Sequence, residues 1–147
     1  MTKRRVYGFL FILILCFIWG NSMLTQETSG ALSSFVAEIL GGGSDVGEEE
    51  HFLVRKMAHF IEYAALGAVT CLFFDSFVND AYRKYTAASL VGVLTPLIDE
   101  TIQIFSDRGP ALSDVWLDIS GYVFGSLVVI TVFFIVHRRA GRGNETG

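Results

Sequence analysis

The sequence predicts an all-α fold, a bundle of four membrane-spanning helices with both termini cytoplasmic, and three observations predict it. Apolar residues make up 52% of the 147 positions, with Phe alone contributing 13, a bias toward lipid rather than water. Four apolar stretches, at about residues 6–24, 53–74, 85–105 and 115–136, are each long enough at about 1.5 Å per residue to cross a hydrocarbon core of roughly 30 Å. Backbone groups in lipid must pair within their own segment, so each stretch is expected to be a helix. The third observation is charge. Lys3, Arg4 and Arg5 precede the first stretch, Arg83 and Lys84 separate the second from the third, and Arg138, Arg139 and Arg142 follow the fourth. After four crossings all of these share one side, which the enrichment of Lys and Arg in cytoplasmic loops identifies as the cytoplasm. A single domain is expected over residues 1–147, with no room in the short connections for a soluble one.

The first helix is expected to be retained, because an uncleaved span fits the charge alternation better than a signal peptide does. Cys16 within it and Cys71 within the second helix read as small buried hydrophobes, not as a disulfide. The extracytoplasmic loop that follows contains a segment able to form a short helix, residues 29–40, where Leu32, Phe35, Val36, Ile39 and Leu40 recur at helical spacing. Gly41-Gly42-Gly43-Ser44-Asp45 ends it, and the acidic run Glu48-Glu49-Glu50 reads as solvated charge.

Polar residues intrude on the next three helices, and in lipid each intrusion is costly enough to suggest function. On the second helix Lys56, His59, Tyr63 and Gly67 fall within a stripe roughly 80° wide, with Glu62 at its border. Asp75, Asn79 and Asp80 then surround a cytoplasmic connection and need only solubility to explain them. On the third helix Pro96, Glu100 and Gln103 share a face, with Asp99 beside it. The connection Ser106-Asp107-Arg108-Gly109-Pro110 is a turn by composition, and Ser113 or Asp114 is expected to cap the fourth helix. On that helix Asp114, Asp118, Gly121 and Gly125 fall within about 60°, while Trp116 points the other way. Glycines four apart let a neighbouring helix approach closely, so the Asp stripe is expected to face protein.

All three stripes lie toward the extracytoplasmic ends. The second and fourth helices direct their positive dipole ends there, which suits Asp114 and leaves Lys56 in need of an anionic partner, either a carboxylate from another helix or a bound anion. An internal network is the plainer reading: Lys56 with Asp114 or Asp118, Arg108 with Glu100, His59 with Tyr63 or Gln103. Such polar pairs are accepted between membrane helices, yet a network serving stability alone is expensive there. His59 with Glu62, Glu100 and an Asp also suggests a metal, but such sites usually recruit more than one His. No metal and no cofactor is expected.

The run Lys56-Met57-Ala58-His59-Phe60-Ile61-Glu62-Tyr63-Ala64-Ala65-Leu66-Gly67 resembles the K-x-x-H-F-x-x-Y-x-x-L-G signature of the VanZ-like membrane protein family. A second block, Glu100, Gln103, Arg108, Asp114, Asp118, Gly121 and Gly125, follows in the family's order. The likeness covers about two thirds of the chain, from the second helix to the fourth; the long first loop departs from the pattern. The resemblance implies a bacterial cytoplasmic (inner) membrane protein, in a family whose founding member is linked to resistance toward teicoplanin and related lipoglycopeptide antibiotics.

The candidate site is therefore Lys56, His59, Tyr63, Glu100, Gln103, Arg108, Asp114 and Asp118, whether catalytic or ligand-binding. The expected action is at the outer leaflet, on an anionic lipid-linked envelope precursor or a lipoglycopeptide. Lys56 and Arg108 would hold its phosphate or carboxylate groups, and His59, whose pKa ordinarily lies near neutrality, would serve as base or nucleophile. Two alternatives are a membrane protein that binds or occludes without chemistry and a proton- or ion-coupled transporter. The second is opposed by Leu66, Val69, Leu127 and Val128, which end the polar stripe about halfway across. Membrane lipids are the expected partners, and nucleic acid is not one.

Overall fold

The computed structural model describes residues 2–24, 48–105 and 111–143, and among these the architecture is all-α. Four helices form: α1 (Lys3–Ser22), α2 (Glu48–Asp75), α3 (Ala81–Phe105) and α4 (Leu112–Gly143). Each is long and apolar enough to cross a membrane. The expected helix at 29–40 and the turn at 106–110 lie outside the described residues.

Helix ends differ from the expected ones in an instructive direction. α2 begins at Glu48 rather than near residue 53, and α4 runs to Gly143 rather than to residue 136. Apolarity marks where lipid ends, whereas the hydrogen-bonded ladder continues into water if the residues allow it. The first turn of α2 thus lies in the run Glu48-Glu49-Glu50, and α4 continues past Arg138.

Polar residues at the second connection do more than keep it soluble. Asp80 caps α3 by accepting a hydrogen bond from the Arg83 backbone N–H at 2.7 Å, and Asp75 at the end of α2 accepts one from Lys84 at 2.6 Å. At the start of α4 the expected capping by Ser113 or Asp114 is replaced. The helix begins at Leu112, which places both residues inside its first turn, and the N–H of Ala111 just before it donates instead to Glu100 Oε2 at 3.1 Å.

The closest helix pair is α2 with α4, which run parallel. A Cβ on Gly121 would sit 2.5 Å from the Phe60 carbonyl oxygen, one on Gly125 would overlap the Ala64 carbonyl, and one on Gly67 would overlap that of Tyr122. Backbone therefore meets backbone along this seam, as small residues permit in lipid. α3 lies antiparallel to α4: the Tyr122 ring occupies the space a side chain at Gly92 would need, and its hydroxyl donates to the Ala88 carbonyl at 2.7 Å. α1 packs on α2 through Phe11 stacked on Phe73 with ring centroids 5.5 Å apart. Its Arg4 lies over the Phe77 ring at 4.9 Å.

The fully interior apolar core is small, comprising Ile18, Tyr63, Leu66 and Tyr122. Large apolar side chains such as Phe9, Phe17, Leu94, Phe124 and Val132 point outward, which in a bilayer is the stable direction. Cys16 is also on this outer surface and Cys71 is half-buried, so the first of the two is not the buried hydrophobe expected of it; both are free thiols.

Candidate functional site

The polar stripes of α2, α3 and α4 turn inward and meet at one end of the bundle. His59, Tyr63 and Gly67 are buried along α2; Pro96, Asp99, Glu100 and Gln103 along α3; Asp118, Gly121 and Gly125 along α4, with Asp114 and Lys56 half-buried at the rim. Trp116 is 65% exposed on the far side of α4. Helical periodicity alone explains this division: the glycine seam fixes which side of α4 faces α2, and the carboxylates share that side.

Two layers can be distinguished. At the rim, Lys56 Nζ stands 3.3 Å from Asp114 Oδ1, joining the first turn of α4 to α2. One turn deeper, His59 Nδ1 lies 3.6 Å from Asp118 Oδ1 and 4.0 Å from Asp99 Oδ2. His59 therefore faces carboxylates, not Tyr63 or Gln103. Asp99 is held from two directions: Ser22 at the end of α1 donates to its Oδ1 at 2.5 Å, and Gln103 one turn along α3 donates to its Oδ2 at 3.1 Å. Glu100 turns to the Ala111 N–H, and Glu62 accepts a hydrogen bond from Asn21 at 3.4 Å. Arg108, the expected partner of Glu100, lies outside the described residues.

Asp118 differs from its neighbours. Its side chain is fully interior, and among the described residues neither carboxylate oxygen has a hydrogen-bond partner. The Tyr63 hydroxyl, also interior and within electrostatic reach of Asp99 and Asp118, has none either. Buried polar atoms normally find partners; Trp19 Nε1 and Ser126 Oγ are similarly placed elsewhere in the bundle, and what sets Asp118 and Tyr63 apart is that both adjoin the His59 cluster.

Asp99 and Ser22 were not among the expected site residues. Asp99 was legible, since it precedes Gln103 by four positions and so shares its face. Ser22 was not, because a small hydroxyl at a helix end carries no signal of which neighbour it will meet. An apolar groove between α3 and α4, lined in part by Tyr85, Gly92, Tyr122 and Leu127, contains no charged side chain.

Compared with known proteins, the chain matches over residues 7–135 the family model described as VanZ/LLP1. No curated protein and no solved structure matches it.

Proposed function

Because this multi-pass membrane chain belongs to the VanZ/LLP1 family, we propose that it acts at the outer leaflet of a bacterial cytoplasmic membrane on an anionic, lipid-linked envelope molecule, or on a lipoglycopeptide bound there, and so contributes to teicoplanin-type resistance. The observation that carries this reading is the position of His59 between Asp99 and Asp118, beneath the half-exposed Lys56–Asp114 pair.

Lys56 is the group at the rim that meets an arriving phosphate or carboxylate, exchanging Asp114 for the ligand with little loss, since a partly solvated ion pair is weak. Arg108, in the connection that precedes α4, provides the second cation. His59 then transfers a proton or attacks as nucleophile, held in orientation by the carboxylates it faces. Asp118 completes the acid–base pair and Tyr63 offers an uncommitted hydroxyl. Glu100 and Gln103 hold the surrounding frame, the first through the start of α4 and the second through Asp99.

The test is His59→Gln expressed in a teicoplanin-sensitive bacterial host. The expected outcome is loss of the protection given by the wild-type chain, at equal protein level in the membrane, together with loss of a modified lipid seen by mass spectrometry of envelope extracts. Undiminished protection by the variant overturns the reading. Protection with unaltered lipids would favour binding or occlusion without chemistry.

A further inference from the structure

We infer that His59, Asp99 and Asp118 form a binding site for one divalent transition-metal ion, buried between α2, α3 and α4. One ligand atom from each lies within 4.8 Å of the others, and all three residues are buried. Two ligand atoms each about 2.1 Å from one ion stand no more than about 4.2 Å apart. The His59 Nδ1 separations of 3.6 Å and 4.0 Å from the two carboxylates already fall inside that limit, so His59 can share one ion with either carboxylate as it stands.

Two observations and one electrostatic consequence support the site. Asp118 presents two interior oxygens that no hydrogen bond among the described residues satisfies, and the Tyr63 hydroxyl one turn along α2 is equally interior and equally unsatisfied. Asp99 is oriented by Ser22 and Gln103, the outer-shell pattern that fixes a metal-ligating carboxylate. A third consideration is the cost of an ionised interior carboxylate in lipid, which a divalent cation beside Asp118 offsets.

The donor set selects the ion. Imidazole nitrogen with carboxylate oxygen suits Zn²⁺, Mn²⁺ or Fe²⁺, while Mg²⁺ favours all-oxygen ligation with several retained waters. The single histidine argues against a structural zinc site of the usual kind and for an ion with coordination positions left to fill. With the ion bound, His59 is a ligand, and the metal adds to Lys56 a second cationic contact for the anionic group of the outer-leaflet reading. Metal binding rests on that reading only for the identity of the guest. Failure to bind metal leaves the reading standing with His59 as the proton-transfer group, and failure of resistance leaves the metal site standing.

The experiment uses the full chain purified in detergent with any affinity tag removed, stripped with chelator, incubated with Zn²⁺ or Mn²⁺, desalted and measured by elemental mass spectrometry. About one ion per chain is expected for the wild type, at least a fivefold loss in His59→Gln and Asp118→Asn, and full retention in Asp75→Asn at the opposite end of the bundle. Equal uptake by wild type and folded Asp118→Asn, or no uptake by the wild type, overturns the inference. If Asp118→Asn does not yield a monodisperse protein, the wild type decides alone: the retained ion should raise its melting temperature by about 5 °C or more, and no shift overturns the site.

Discussion

At the scale of single residues, the Tyr63 hydroxyl separates what the site needs from what the fold needs. It is fully interior and has no hydrogen-bond partner among the described residues, so Tyr63→Phe removes an unsatisfied polar atom without opening a cavity. Such a change leaves stability unaltered or raises it by up to about 1 kcal/mol. Under the proposed function, a hydroxyl that serves the site makes protection against teicoplanin fall all the same. The expected outcome is an unchanged or higher melting temperature in detergent with weaker protection; full protection would make the hydroxyl a bystander. Lys56, His59, Asp114 and Asp118 were legible in the sequence because ionisable groups inside apolar stretches stand out against their surroundings. Their pairing was only partly legible. Lys56 with Asp114 follows from both being at the rim, but His59 turning to Asp99 and Asp118 depends on how far α3 rotates, which no local pattern encodes.

At the scale of elements, the parallel seam between α2 and α4 is the part of the fold most plainly written in the sequence. Gly121 and Gly125 stand four apart on the face that carries Asp114 and Asp118, and Gly67 answers from α2. Gly125→Ala forces its Cβ against the Ala64 backbone, which cannot yield as a flexible side chain would, and should destabilise the protein by about 1–3 kcal/mol. Gly20→Ala in α1 meets nothing within 4 Å and should stabilise its helix by about 0.5–1 kcal/mol. Unfolding of both variants in detergent checks the opposite signs. Helix limits were less legible: the α2 start at Glu48 and the extension of α4 to Gly143 depend on helix propensity continuing past the lipid boundary, where apolarity no longer reports it.

At the scale of the whole molecule, the bundle has two chemically distinct ends. Carboxylates, His59 and Lys56 gather where α2 and α4 begin; Arg4, Lys84 and Arg138 mark the other end, with Arg4 over Phe77, Lys84 on Asp75 and Arg138 over Phe134. The proposed orientation, with the His59 cluster outward, rests on the bias of Lys and Arg toward cytoplasmic loops. A green fluorescent protein fused after residue 147 should therefore fluoresce in bacterial cells, and alkaline phosphatase fused there should be inactive. The reverse pair of results would turn the bundle over and remove the outer-leaflet reading.

The glycine seam also has a consequence for biogenesis. Its two helices are separated in the chain by the whole of α3, so the seam does not exist until the last span has been inserted. Until then the inward stripes of α2 and α3 lack the helix that covers them, and Asp99 and Glu100 are held in the bilayer by whatever contacts α1 and α2 provide. α4 is thus the last helix in chain order, and the segment that brings Asp118 to His59 is the same one that closes the bundle. Function and successful membrane insertion are consequently tied to the same late contact.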